Sequence, residues 1–300
     1  MDVHRLRILR ELADRGTVAS TASALSMTPS AVSQQLKVLA RESGVALLEP
    51  DGRRVRLTDA GHALVLCAED VFAALDRADA EMALYRGSAR GVVRVAMFPS
   101  GAAMLLPRVL ASMANSGVQI EASDVDLPSS AVPRLLADYD IVLTHRDDRA
   151  PSIAGARVAA RVLLREPIDL ILAKSHPLAG AESVTLDELA DESWISVRGG
   201  FPVDDVLLSI ATVTGVQPRV VQRLNDFDVM EAVVAAGHGI ALMPRFAVRH
   251  PGLAVLTLSG VRAGRVYELA TRPHADRRPS VAAVLAAFER EASSAGGRYR

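Results

Sequence analysis

A punctuated run over residues 17–61, TVASTASALSMTPSAVSQQLKVLARESGVALLEPDGRRVRLTDAG, does most to narrow the folds open to this chain. Ahead of it, Leu6, Leu9, Leu12 and Ala13 recur at helical spacing, and Gly16 stands where a helix would stop. Thr17 is an N-cap for a second, short helix through Val18, Ala22 and Leu25, in which Ala19, Ser20, Ser23 and Ala24 permit close helix approach. The pattern breaks at Ser26-Met27-Thr28. Thr28 then caps a third helix with Pro29 at its first position, where a missing N–H costs nothing and the fixed φ favours helix entry. Three short helices with a tight turn between the last two describe a small helical head.

The third helix buries Val32, Leu36 and Leu39 and turns Ser30, Ser33, Gln34, Lys37 and Arg41 to its other side. On an isolated amphipathic helix such a face is a solvated one; behind two short helices and a tight turn it reads as a surface for double-stranded DNA. Small hydroxyl side chains allow close approach to a major groove, Gln34 matches an adenine edge, and Lys37 meets phosphate. Downstream, Asp51-Gly52 is a hairpin turn signal followed by Arg53, Arg54 and Arg56, which predicts a β-wing with a basic tip lying against the backbone or minor groove. The alternative is an ordinary surface hairpin.

Thr58 caps a long helix with no proline until Pro99, and Leu64, Cys67, Val71, Leu75, Ala78, Met82 and Tyr85 form one narrow apolar stripe along it. From Asp59 to Arg86 it would reach roughly 40 Å, longer than a small head needs for its own core. It is expected to be a linker and dimerisation helix, with Cys67 packed in its stripe.

Charge supports this division. Residues 1–58 hold nine Lys and Arg against six Asp and Glu, a surplus of +3 in a chain of net charge -1. A basic end on a mildly acidic body suits a polyanionic partner. The one cysteine, Cys67, excludes an internal disulfide or a multi-thiolate site, so no structural zinc is expected, and neither another metal nor a cofactor is expected. A hydrophobic content of 50% excludes disorder as the main state. Apolar runs such as residues 168–173 and 281–288 fall far short of the roughly 20 residues of a membrane span. The start, MDVHRLRILRELADRG, lacks the apolar run of a secretory signal, so a cytoplasmic location without membrane contact is expected.

From Gly91 strands alternate with helices. Strands are expected over residues 92–98, 118–122, 141–144, 168–173, 194–197, 219–223, 240–243 and 265–271, and helices over 102–113, 130–137, 203–213, 226–236 and 281–291. This βαβ order predicts an α/β body with a mostly parallel sheet and ligand sites beyond the carboxyl ends of strands. Two lobes joined by crossings near Leu163 to Arg165 and Val261 to Arg265 would enclose a hinged cleft. The expected domains are a head over 1–58, a linker helix over 59–88 and a body over 89–300, with lobe I at 91–163 and 266–300 and lobe II at 164–265.

The run from Thr17 to Gly61 resembles the winged helix-turn-helix of LysR-type transcriptional regulators: a small-residue helix, an S-A-V-S recognition helix, a G-V-x-L-L segment, an R-R wing and L-T-x-A-G before the linker. The resemblance places DNA contacts on Thr28, Ser30, Ser33, Gln34, Lys37, Arg53 and Arg54. Pro29 stands where many members have glutamine and Pro50 where arginine is frequent, so one base contact and one phosphate contact of relatives are lost. EPIDLILAKSHPLAG and DFDVMEAVVAAGHGIALMP are similar to segments of the family's effector domain, whose two lobes resemble periplasmic binding proteins. That comparison puts Phe98, Ser100, Gly101, Thr144, His145, Ser196, Arg198, Phe201 and Phe227 at the cleft. Each has a plainer role available: core packing for Phe98 and Phe227, helix capping for Ser100, a solvated loop for Arg198, and a surface position for His145. Arg198 in turn suits a bidentate clamp on a carboxylate of the effector.

The implied protein is a regulator that binds DNA as a homodimer or homotetramer and responds to a small-molecule effector. The competing reading is a cytoplasmic solute-binding module or α/β enzyme with a protein-interaction head. No G-x-S-x-G elbow, P-loop or H-E-x-x-H site supports catalysis, and Gly237-His238-Gly239 is too short for a dinucleotide fingerprint.

Overall fold

The computed structural model describes residues 1–52, 54–85, 91–215, 217–260 and 263–296. The head is built of α1 (Val3–Arg15), α2 (Val18–Ala24), α3 (Pro29–Ser43) and the hairpin β1 (Leu48–Asp51) and β2 (Arg54–Leu57). Asp2, Thr17 and Thr28 cap the three helices with their side chains, and Gly16 and Gly44 end α1 and α3 in the left-handed conformation. Leu6, Leu9, Leu12, Val32, Leu36, Leu39, Leu47 and Leu57 make its core.

Helix α4 (Asp59–Tyr85) follows, with Thr58 Oγ1 accepting from Gly61 N at 3.0 Å. A Cβ on Gly61 would lie 2.2 Å from the Leu47 carbonyl oxygen, so only glycine lets α4 seat against the hairpin. Val65, Ala68 and Phe72 face the head core. The expected stripe lies elsewhere: Cys67, Val71, Leu75 and Met82 are exposed, and Cys67 is not packed within the chain.

The body contains β3 (Gly91–Met97), α5 (Pro99–Met113), β4 (Val118–Asp124), α6 (Val132–Leu135), β5 (Ile141–Asp147), β6 (Ala159–Ala173), β7 (Ser183–Val184), β8 (Ser193–Ser196), α7 (Pro202–Thr214), β9 (Arg219–Arg223), α8 (Phe227–Ala235), β10 (Ile240–Pro244), β11 (Leu253–Leu258), β12 (Gly264–Thr271) and α9 (Pro279–Gly296). Strand order is β4-β3-β5-β12-β6-β10-β8-β9, with β11 pairing β6 and β7. Two apolar cores define two lobes. One is built around β3, β5, β12, α5 and α9, the other around the second half of β6 with β8, β10, β11, α7 and α8.

Two expectations are corrected here. The sheet is mixed, because β12 and β6 run antiparallel to their neighbours. The crossing at Leu163 to Arg165 is no break between strands: β6 passes through it unbroken, pairing β12 over Ala159–Pro167 and then β10 and β11 over Ile168–Ala173. Of the second crossing, residues 261 and 262 lie outside the described residues. β11 was not expected from the sequence.

Candidate DNA interface and effector cleft

The head presents one polar row. Thr28, Ser30, Gln34, Lys37 and Arg41 are exposed on α3 and Ser33 is half-buried. Thr28 Oγ1 accepts from Ala31 N at 3.2 Å and lies 3.0 Å from Ser30 Oγ, so its first role is the cap. Gln35, by contrast, is occupied: its Oε1 accepts from Arg5 Nε at 3.1 Å, while Arg5 also reaches Glu42 at 2.7 Å, which ties α1 to α3. The turn into α3 carries Ser26 at φ 52°, a left-handed conformation rare outside glycine.

The wing pairs Asp51 with Arg54 and Glu49 with Arg56, and Gly52 at φ 58° supplies the turn. Arg56 is held by Glu49 at 2.6 Å, whereas Lys37, Arg41 and Arg54 have no ion-pair partner among the described residues. Arg53, expected at the tip, lies outside the described residues.

A cavity of about 490 Å3 lies between the two lobes. Phe98, Ser100, His145, Phe201 and Phe227 line it. The other four expected residues do not. Gly101 is buried behind Phe98, whose ring would lie 2.5 Å from a Cβ placed there. Thr144 is buried in β5 opposite Glu268. Ser196 is buried and donates to Asp204 Oδ1 at 3.1 Å. Arg198 stands at the rim, largely exposed, with Nη2 3.2 Å from Asp126 Oδ2. Asn225 Nδ2 donates to that same oxygen at 2.6 Å, so Asp126 clasps one lobe to the other.

The residue that dominates the floor was missed from the sequence. Arg265 is 2% exposed, donates from Nε to Glu166 at 2.7 Å and from Nη2 to Ser100 Oγ at 2.9 Å and Tyr267 Oη at 2.8 Å. Glu166 also accepts from the Tyr267 hydroxyl at 2.7 Å and from Phe246 N at 2.6 Å. Burial works most strongly against the charge on Arg265, but the attraction and hydrogen bonds of Glu166 and Tyr267 together outweigh it and hold the guanidinium's pKa above the ordinary value. Burial raises the Tyr267 hydroxyl well above its usual range. His145 is driven the other way, well below the ordinary histidine range, by burial and then by the charge of Arg265. It is therefore neutral at physiological pH, packs edge-on to Phe98 at 4.3 Å, and leaves Nδ1 buried without a partner. The available signal is the strand alternation that puts Arg265, Tyr267 and Leu269 on one face, at the point where the expected crossing meets the expected strand over 265–271.

No side chain caps α5, whose first-turn N–H groups and positive dipole end meet the cleft beside the Ser100 hydroxyl. This end suits an acceptor or anionic group, the three phenyl rings suit an apolar body, and Asp124, Asp126, Asp226 and Asp228 offer acceptors at the mouth. Among the described residues no His, Cys, Asp and Glu cluster is arranged to hold a metal, and no helix is long and apolar enough to cross a membrane.

Comparison with known proteins places the head and the body in known domain families. Residues 3–62 match the family model described as bacterial regulatory helix-turn-helix protein, lysR family, and residues 86–293 match LysR substrate binding domain. The transcriptional dual regulator GltC of Bacillus subtilis is 26% identical over 257 residues, 85% of each chain. The transcriptional activator CmpR of Synechocystis is 24% identical over 263 residues, 86% of this chain and 85% of the relative. A full-length OxyR variant of Pseudomonas aeruginosa superposes with a TM-score of 0.65 at 19% identity, covering 96% of this chain and 98% of that one. Full-length CbnR complexed with its target DNA gives 0.54 at 22% identity, covering 97% and 100%. With a helix-turn-helix at one end and a two-lobed effector domain over most of its length, the chain belongs to the LysR family of DNA-binding transcriptional regulators.

Proposed function

We propose that this regulator acts as a homodimer, assembled further into a homotetramer, that binds operator DNA in the cytoplasm and shifts its DNA contacts when a small molecule enters the inter-lobe cleft. Residues 1–58 form the DNA-binding head, 59–88 the linker helix and 89–300 the effector domain, a division supported by family matches over 3–62 and 86–293. Ser30, Ser33, Gln34 and Lys37 read or touch the major groove, Thr28 orients that helix, and Arg53 and Arg54 hold phosphate at the wing. Phe98, Ser100, His145, Phe201 and Phe227, with Arg265, hold the effector. On this reading the protein catalyses no reaction and needs no cofactor, and Glu166, Arg265 and Tyr267 are engaged with one another on the cleft floor.

The observation that carries this reading is the exposed row of hydrogen-bonders and cations on α3, whose Lys37 and Arg41 have no ion-pair partner among the described residues, beside a basic wing strand. Selection of bound fragments from the source genome by purified protein at near-physiological salt tests it. A few enriched sites with an imperfect inverted repeat are expected. Uniform retention of all fragments, or none with folded protein in hand, would remove the sequence-specific reading.

A further inference from the structure

The head does not hang free on its linker; it is docked on lobe I through charges. Asp14, in the last turn of α1, has a side chain 1% exposed and is gripped from two sides of the effector domain. Arg157 contacts one carboxylate oxygen and also donates to the Ala13 carbonyl at 3.2 Å. Arg272 donates to the other oxygen at 2.6 Å and, with its second amino group, to Glu69 of α4 at 2.9 Å. Arg15 reaches Asp138 at 2.7 Å. Burial opposes the charge of Arg272, and Asp14 and Glu69 more than restore it. A junction of paired charges loses less on opening than an apolar one, because water takes over each partner.

The two arginines occupy a particular place in the sheet. Arg157 lies just before β6 and Arg272 just after β12. These strands are hydrogen-bonded neighbours, with Thr271 opposite Ala159 at the head end and Arg265 opposite Glu166 at the cleft end. The same two strands therefore carry the buried ion pair of the cleft floor at one end and both halves of the grip on Asp14 at the other. At about 3.3 Å per residue the ends are roughly 23 Å apart, joined by a ladder of main-chain hydrogen bonds with one bulge, at Leu163 opposite Tyr267 and Glu268. β6 also runs on into lobe II, so movement of one lobe against the other bears directly on it.

We propose that Asp14, Arg157 and Arg272 are positioning residues for the DNA-binding head, and that the β6–β12 ladder links their grip to the state of the cleft. The grip stands on its own geometry; the link rests on the cleft being the effector site. Two arrangements of the head then differ in whether Asp14 is engaged, and a change at the cleft floor biases the choice.

The test is a distance measurement on the full chain with Cys67→Ser, spin-labelled at Val45→Cys in the head and Asn115→Cys in lobe I. Labelled protein is diluted tenfold into unlabelled protein so that only pairs within one chain are read. The parent should give one narrow distance. Asp14→Asn and Arg272→Gln should each move at least about a third of the molecules to longer distances, as should 1 M salt on the parent, while Arg272→Lys, which keeps the charge, should stay closer to the parent. Tyr267→Phe, which removes one hydroxyl from the cleft floor and leaves its packing, should broaden the same distribution, and Arg265→Gln should do so more strongly. An unchanged distance in Asp14→Asn and Arg272→Gln would overturn the grip. Broadening there with none in folded Tyr267→Phe and Arg265→Gln would overturn the link alone. The cleft reading is checked apart from both: Ala103→Trp, which fills the cavity, should abolish any effect of small-molecule cell extract on DNA binding, and a full response in that variant would remove the effector from the cleft.

Discussion

His145 is a neutral buried ring packed against Phe98 and repelled, when protonated, by the charge of Arg265, and this fixes the sign of its pH effect. Its pKa is lowered in the folded chain, so below the unfolded value of about 6.5 the unfolded chain takes up a proton that the folded chain refuses. Stability is full above that pH and falls as the pH drops toward the folded value, by up to about 1.4 kcal/mol per pH unit. His145→Gln should flatten this part of the profile; melts of both proteins between pH 7.5 and 5.5 that stay parallel would sink the assignment. At the DNA face the effects are of two kinds. Gln34→Ala should change which bases are preferred, whereas Arg54→Ala should weaken binding to all sequences and lower the slope of log K against log salt by about one. Titrations at four salt concentrations decide, and an unchanged slope would take Arg54 out of the interface. Residues such as Ser30, Gln34 and Lys37 were legible because one helical period fixes which side chains share a face. Arg265 was not, since its role depends on Glu166 and Ser100, partners 99 and 165 positions away.

Helix ends were the most readable elements because each is written in a local code: Thr17, Thr28 and Thr58 before a helix, Gly16 and Gly44 after one. The L-T-x-A-G pattern has a steric cause. Gly61→Ala would drive a Cβ into the Leu47 carbonyl and should cost about 1–3 kcal/mol, read as a drop in melting temperature. A drop no larger than that of a surface Gly→Ala change would mean that α4 seats differently. The long helix was readable in extent but not in orientation, since apolar residues occur on two of its sides. Val65, Ala68 and Phe72 meet the head, while Val71, Leu75 and Met82 face outward. In the proposed dimer that second side meets another copy, so Leu75→Glu should weaken self-association by at least about tenfold in sedimentation. An unaltered dimer would place the interface elsewhere. The first half of β6 escaped the sequence reading for another reason: the polar residues Arg161, Arg165 and Glu166 interrupt its apolar run, yet Arg161 is paired with Glu289 of α9 and Asp276, Arg165 with Asp148, and Glu166 with Arg265 on the cleft floor.

At the scale of the molecule, the mixed sheet explains why the two lobes were expected to hinge more freely than their connections suggest. A crossing by loops would leave the lobes tied only at their surfaces, but β6 carries its hydrogen-bond ladder from one lobe into the other. Closure of the cleft must then come from twisting about β6 and from contacts at the mouth. Asp126 supplies the main one, joining Arg198 and Asn225 across the opening, and Arg149 supplies a second by donating to Ser209 at 2.8 Å. Arg198 is therefore occupied in bridging the lobes rather than waiting for a ligand carboxylate. The Arg198–Asp126 pair is partly solvent-exposed, so its own worth is small, and a double-mutant cycle over Arg198→Ala and Asp126→Ala should give a coupling of about 0.2–1 kcal/mol that shrinks with salt. Its larger effect should be on opening: hydrogen exchange at residues 225–228 and 98–101 should speed up in Asp126→Ala while the strands of both lobes stay protected. If exchange in those two segments matched the parent, Asp126 would not be the clasp. The cleft would then be held shut by β6, the Arg149–Ser209 contact and the aromatic packing of Phe98, His145 and Phe201.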